Sequence, residues 1–345
     1  MGIQLGDIIP RRKIGFSEIS GKKIAIDAFN ALYQFLSIIR GADGNPLMDS
    51  EGRVTSHLSG LLYRTSNLVE MGIQTCYVFD GAPPRLKRLE IVRREEVKQV
   101  AAAKLRKAID EGRTEEIRKY AQATARLTHP MISDAQHLLS LMGIPWIQAP
   151  SEGEAQAAHM VARGDVYAAA SQDYDSLLFG APVLVRNVTI SGRRKIPRKN
   201  AYVQVEPEIV ELQTVLDKLK LSRNCLVYLG ILIGTDYNPD GIKGIGPKTA
   251  LKMVTQYGSL HDLLAHLGDK NVFPVDPEEL VRLFLEPDVT ERYELSWASP
   301  DVDGIVSFLC GERGFSEERV RKALDKMQSG LNRSQGHSTL EKWFS

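Results

Sequence analysis

Seven carboxylates stand where an apolar, strand-forming run gives way to a polar turn, or close beyond it: Asp27, Asp80, Glu152, Glu154, Asp173, Asp175 and Asp236. Gathered into one pocket, that much negative charge does not stay ionised without bound cations. An all-carboxylate set without His or Cys suits a hard, oxygen-seeking ion such as Mg²⁺, which keeps several of its waters. Any one Asp after a strand is more often a turn or cap residue. Recurrence of the same context along one chain favours the metal reading.

The segments that must position these acids are short and rich in β-formers. Residues 22–27 (KKIAID) and 75–80 (TCYVFD) each end an apolar run on an acid. Residues 143–149 lead into PSEGEA, where Ser151 is the expected N-cap of an Ala-rich helix carrying Glu152 and Glu154. Residues 166–170 lead into SQDYD, and the apolar run 226–233, expected as a helix, leads into GTDY. In an open, mostly parallel α/β sheet flanked by helices, sites form outside the carboxyl ends of the strands. Acids distant in sequence then converge.

The chain has 345 residues, 43% hydrophobic and 25% charged, room for one large or two medium domains with an ample core. The start, MGIQLGDIIPRRK, lacks the form of a signal peptide, and no run approaches the roughly 20 apolar residues of a membrane span. A soluble intracellular protein is expected. Cys76, Cys225 and Cys310 have no zinc-site spacing and read as buried small hydrophobes in a reducing compartment.

Net charge is only +1, so any nucleic-acid partner must be read from charge distribution. Residues 85–107 (RLKRLEIVRREEVKQVAAAKLRK) form a basic, helix-favouring stretch directly after Asp80. Lys87 and Arg94 are seven apart and share a helical face, with Lys98 one turn on. That face can hold a phosphate beside the metals; a solvated charged helix is the alternative. In GIKGIGPKTA, Gly244 and Gly246 let the backbone present N–H groups to a phosphate, Pro247 opens a helix, and Lys248 and Thr249 follow. The pattern suits a helix-hairpin-helix DNA-binding element. Its likeness to a Walker A loop fails because Pro247 intrudes before the Lys. Residues 187–200 (NVTISGRRKIPRKN) read as a basic hairpin or loop able to touch duplex phosphates. Residues 331–338 read as a polar tail without helical periodicity, followed by TLEKWF, one helical turn whose Leu340, Trp343 and Phe344 can plug a partner's apolar pocket.

Taken together, VFDGAPPRLK, SLMGIPW with APSEGEAQA, SQDYDSLLFG, GTDYNPDGIKGIGPKTA and CGERGFSEERVRKAL strongly resemble the flap endonucleases, structure-specific 5′ nucleases of DNA replication and repair, in order and over nearly the whole chain. The resemblance implies a PIN-like 5′ nuclease fold with a helical arch over the site. It implies two Mg²⁺ ions at the seven acids and branched DNA bearing a 5′ flap as substrate. Lys87 and Arg94 match the arch cations at the scissile phosphate, and Tyr33 the aromatic that stacks near the reacting nucleotide. Arg126 falls on the far side of the arch. Thr55, Arg64, Arg313, Phe315, Ser316, Glu317, Glu318 and Arg319 match further DNA contacts, most of them in a pocket for a one-nucleotide 3′ flap. A K⁺ site at the helix-hairpin-helix element is also implied.

By the same resemblance, 1–330 forms a single nuclease domain: an N-terminal region about 1–105, the arch about 82–130, an internal region about 120–258 and a helical region about 259–330. Residues 331–345 are a tail that binds a sliding clamp of the proliferating cell nuclear antigen type. A monomer is expected, and the lack of a long basic tail resembles archaeal members, pointing to the archaeal cytoplasm. Two departures stand out. His337 occupies the place where the family's clamp peptide usually carries Gln, and the start after Met-Gly leaves the commoner pattern. A related 5′ exonuclease and a catalytically silent DNA scaffold are the competing classes.

Overall fold

The computed structural model describes residues 3–41, 45–113, 116–117, 119–120, 124, 126–190, 192–195, 202–268 and 273–344, without the side chains of 89, 192–195, 202–203 and 334–344. The strands are β1 (Arg12–Lys13), β2 (Lys23–Asp27), β3 (Gln74–Phe79), β4 (Trp146–Gln148), β5 (Ala168–Ala170), β6 (Val183–Arg186), β7 (Gly192–Lys195), β8 (Tyr202–Val205) and β9 (Glu208–Glu211). Seven of them make one sheet in the order β1-β9-β6-β5-β2-β3-β4. The five from β6 to β4 run parallel, in register pairs such as Ala25 with Cys76 and Ile26 with Ala170. β9 pairs antiparallel with β6, and β1 antiparallel with β9. Each of the four strand segments expected to feed an acid to one edge is therefore present and parallel to the rest.

Alternation along the strands divides the core into two layers. Ile24 and Ile26 of β2 and Tyr77 and Phe79 of β3 face one side, Ala25, Cys76 and Val78 the other. The first layer is covered by α1 (Ala28–Ile38), α2 (Ser56–Glu70), α4 (His129–Leu141), α12 (Val302–Val306) and α13 (Glu317–Phe344). The second is covered by α5 (Gly153–Ala162), α6 (Asp175–Leu178), α8 (Arg223–Ile233), α9 (Pro247–Tyr257), α10 (Leu260–Leu267) and α11 (Pro277–Leu285). α7 (Leu212–Leu219) follows β9. The basic stretch is a short 3-10 turn, Arg85–Lys87, continued by α3 (Arg88–Asp110), as its composition requires.

β7 and β8 pair antiparallel apart from the main sheet, so the basic segment expected as a hairpin or loop contributes a hairpin strand. At the carboxyl end the structure corrects the sequence reading: 331–338, expected as non-helical, lies within α13. With no Pro to stop it, an established helix adds one hydrogen bond for each residue it fixes. Cys76 and Cys225 are buried, but Cys310 is only half-buried because it sits on a wide turn at Ser307–Glu312. No helix among the described residues is long and apolar enough to cross a membrane.

Candidate active site

β2 ends on Asp27, whose carboxylate accepts the Asn30 N–H at 3.0 Å and so caps α1. Asp80 follows β3 and accepts the Gly153 N–H at 2.8 Å. A Cβ at residue 153 would meet Asp80 Oδ1 at 2.7 Å and the Val78 carbonyl oxygen at 3.1 Å, so only glycine lets the first turn of α5 close on the end of β3. The N-cap residue of α5 is Glu152, one position beyond the expected Ser151, since Asp80 provides the acceptor that a capping serine would have offered. Glu154 lies in that first turn, where the helix dipole favours an anion. Asp173 and Asp175 follow β5, and Asp175 accepts the Ile3 N–H at 3.0 Å. Asp236 follows α8, the helix expected over 226–233.

These acids share one electrostatic pocket. Burial, then the neighbouring Asp80 and Asp173, push the Asp27 carboxyl well above its ordinary value. Burial followed by Asp175, Asp27 and Asp173 does the same to Glu154. Asp175, buried beside Asp236 and Asp173, is raised to about 7. Asp80 and Glu152 are also raised by burial, against the pull of Lys87.

Two cations enter from the basic segment. Lys87 Nζ lies 2.6 Å from Glu152 and 3.5 Å from Asp236. Burial draws the Lys87 ammonium down, but Glu152 and Asp236 more than offset it and leave it raised. The Arg94 guanidinium reaches Asp236 at 2.7 Å and Glu90 at 2.8 Å. The shared face inferred from a seven-residue spacing is the face turned to the acids.

The other candidates are spread more widely. Tyr33 on α1 is partly exposed, with Lys98 Nζ 5.4 Å over its ring, which links α1 to α3. Arg126 pairs with Glu95 of α3. Thr55 and half-buried Arg64 bracket the first turns of α2, Thr55 being buried. Arg313 forms a two-pronged pair with Asp134 of α4 (3.0 and 3.1 Å) and stacks 4.9 Å over Phe308. Arg53 Nη2 donates to the Glu312 carbonyl at 2.6 Å, which brings the turn before Thr55 to the segment holding Arg313, Phe315 and Ser316. Glu317 and Glu318 pair with Arg321 and Lys322, and Arg319 lies 5.5 Å over the Tyr63 ring. Gly244, Gly246, Lys248 and Thr249 are exposed between α8 and α9 or on the first turn of α9, far from the acids in sequence except Asp236. The side chains of Leu340, Trp343 and Phe344 lie outside the described residues.

Sequence reading missed the polar residues that hold the acids. Asn30 Nδ2 donates to Asp173 at 3.2 Å, Ser171 Oγ to Asp27 at 3.4 Å and Ser176 Oγ to Glu154 at 3.5 Å. Glu90, buried, orients Arg94. The one available signal was spacing: Asn30 stands three residues after Asp27, on the first turn of the helix that Asp27 caps.

Among the described residues, no three Asp, Glu, His or Cys side chains are drawn together into a closed metal cage. The donor set nevertheless fits a hard cation: every donor is a carboxylate oxygen, and Mg²⁺ is ordinarily held by one or two carboxylates and its own waters. An acidic pocket at the carboxyl edge of a parallel sheet, faced by a buried ammonium and a guanidinium, is equipped to take a phosphodiester. The fold and site together define an α/β nuclease.

Comparison with known proteins narrows the class. Residues 1–101 match the XPG N-terminal domain and 143–236 the XPG I-region. The chain is 56% identical to flap endonuclease 1 of Pyrococcus furiosus over 100% of its own length and 99% of that protein's. The solved flap endonuclease-1 from Methanococcus jannaschii superposes with a TM-score of 0.75 at 43% identity, covering 96% of this chain and all of that one. The catalytic core of Rad2 in complex with DNA substrate gives 0.71 at 25% identity, over 95% and 100%. The chain belongs to the flap endonuclease family and is a nuclease of the PIN-like fold that the sequence motifs implied. Nucleases of this family depend on a metal ion.

Proposed function

We propose that this chain hydrolyses DNA near the junction of duplex and single-stranded 5′ flap, leaving a 5′-phosphate and a 3′-hydroxyl, with Asp27, Asp80, Glu152, Glu154, Asp173, Asp175 and Asp236 as the metal-holding acids. The observation that carries the reading is the entry of Lys87 and Arg94 among those acids at 2.6 and 2.7 Å. Two Mg²⁺ ions held there would supply a water of lowered pKa and neutralise charge on the departing 3′ oxygen. Lys87 and Arg94 exchange their carboxylate partners for the equatorial oxygens of the scissile phosphate, where charge grows during transfer. Tyr33, exposed at the rim, stacks on the base next to the cut.

Specificity comes from shape rather than base edges. Gly244, Gly246, Lys248 and Thr249 hold duplex phosphates from the helix-hairpin-helix element, where a K⁺ ion also fits the reading. Arg126 lines the far side of the arch. Thr55, Arg313, Phe315, Ser316, Glu317, Glu318 and Arg319 test for a 3′ flap, and Arg64 adds a further DNA contact. Residues 1–330 act as one monomeric nuclease unit in an archaeal cytoplasm, and Leu340, Trp343 and Phe344 of the tail 331–345 engage a sliding clamp.

The test is cleavage of a double-flap substrate with and without Mg²⁺, products mapped to the nucleotide, beside the Asp173→Ala variant. Flap DNA should still bind the variant while cutting disappears. Persistent cutting by Asp173→Ala would remove the metal-site assignment.

A further inference from the structure

Behind the acids runs a line of three polar side chains that the chemistry above does not use. Thr189 Oγ1 donates to Gln34 Oε1 at 2.8 Å, Gln34 Nε2 donates to Asn30 Oδ1, and Asn30 Nδ2 donates to Asp173 Oδ2 at 3.2 Å. Each amide receives at its oxygen and gives from its nitrogen, so the bonds run head to tail and end on a carboxylate. Bonds arranged in this sense polarise one another, and their sum favours a negative charge at the end of the line. Asn30 also donates its backbone N–H to Asp27 at 3.0 Å, so one residue touches an acid on each of two adjacent strands' ends.

Thr189 is buried, Asn30 and Gln34 are half-buried, and the crevice beside Asn30 and Thr189, lined by Asp27, Ser171 and Gln172 as well as by Ile26 and Val185, has a volume of about 10 Å³. The line's far end lies on the chain between β6 and β7, three residues before Gly192 opens the basic hairpin strand. Asn30 and Gln34 are four apart on α1 and share a face. Neither is needed for α1 to pack: its buried positions are Ala28, Ala31, Leu32, Phe35 and Leu36.

We infer that Thr189, Gln34 and Asn30 form a relay of positioning residues that fixes Asp173 as a metal ligand. The inference rests on the metal-site reading above. A carboxylate held by an ordered partner offers its free oxygen in one direction, and removing such a partner ordinarily lowers metal affinity by about 10- to 100-fold.

The experiment measures Mn²⁺ binding to the DNA-free protein by calorimetry, with kcat and KM on flap DNA measured in parallel. Asp173→Ala serves as the control: if it binds Mn²⁺ as the unaltered protein does, the metal-site reading fails, independently of the relay. With that control behaving, Asn30→Leu should weaken Mn²⁺ binding by about 10- to 100-fold. Thr189→Val, nearly isosteric, should weaken it by roughly 3- to 10-fold, the smaller part of the same range. Thr189→Ser should restore it. The relay further requires that Thr189→Val add nothing in the Asn30→Leu background, because the line is already cut. At saturating metal, kcat should recover and KM stay unchanged, a pattern that general loosening of the fold does not give. Additive effects of the two substitutions, or undiminished Mn²⁺ binding by a folded Asn30→Leu protein, would overturn the inference.

Discussion

A single ammonium bridges two acids from opposite parts of the chain: Lys87 Nζ sits 2.6 Å from Glu152 and 3.5 Å from Asp236. A charge so placed offsets part of the acid pocket's negative charge in the free protein, and the proposed mechanism gives it to the scissile phosphate. Lys87→Met should therefore lower the single-turnover rate of flap cleavage by about 10²- to 10³-fold, the usual effect of removing one preorganised donor. Affinity for flap DNA should change little by comparison, since the proposed duplex contacts lie elsewhere. Equal losses in binding and rate would argue against a role in transfer.

Arg313 ties the last helical region to α4 through both oxygens of Asp134 and lies mostly buried. Arg313→Met keeps much of the stem but strands the Asp134 carboxylate. Charged hydrogen bonds of this kind contribute about 1.5–3 kcal/mol each, so unfolding in urea should show a loss of about 2 kcal/mol or more. Asp134→Asn, which keeps one acceptor, should cost less.

His57 on α2 is fully buried and neither ring nitrogen has a hydrogen-bond partner. Burial lowers its pKa from 6.5 to about 4, with Arg313 adding to the fall and Asp134 opposing it. The folded state thus resists protonation that the unfolded chain accepts. Stability contributed by the neutral ring is complete above the unfolded value near 6.5 and is lost as pH falls toward 4. Between pH 7 and pH 5 the loss is about 2 kcal/mol. Raised carboxylates in the acid pocket oppose this slope, so the measurement is the difference between the unaltered protein and His57→Leu. Relative to His57→Leu, the unaltered protein should lose about 2 kcal/mol as pH drops from 7 to 5; parallel curves would mean the ring takes up protons equally well folded and unfolded.

Gly330 is where α13 meets the end of α2. A Cβ there would lie 2.0 Å from the Val69 carbonyl oxygen and 2.5 Å from its carbon, both backbone atoms that a side-chain rotation does not move. In an open helix Gly330→Ala would stabilise by up to about 1 kcal/mol. Here it should destabilise by about 1–3 kcal/mol, the usual result of overpacking. A rise in melting temperature would show that the two helices do not approach so closely.

The acids were legible because Asp27 and Asp80 close apolar runs rich in β-formers, the other five follow apolar runs within a few residues, and parallel strands must present their ends together. The seven-residue spacing of Lys87 and Arg94 showed a shared face, but it did not decide between a solvated helix and one turned to the acids. Asn30, Gln34 and Thr189 were not legible: an amide or hydroxyl has no periodic signature, and its role appears only when α1 and the chain beyond β6 are brought side by side. Glu90 was not legible either, since nothing in a charged helical stretch marks the one acid that is buried beside Arg94. Residues 331–338 misled because a polar run with Gly and Ser lacks an apolar stripe, whereas helix continuation depends only on the turn before it.

Helix α2 is finished by residues made long after it. Lys326 reaches Asn67 across 259 positions of sequence and Glu70 at 3.2 Å, while Val320, Ala323, Leu324 and Met327 complete the apolar layer that also holds Ile24 and Ile26. Contacts so remote form late, because the long intervening loop must close first. A nascent chain with both XPG segments already synthesised still has that layer open to water. The first layer is thus closed only when α13 docks on α2.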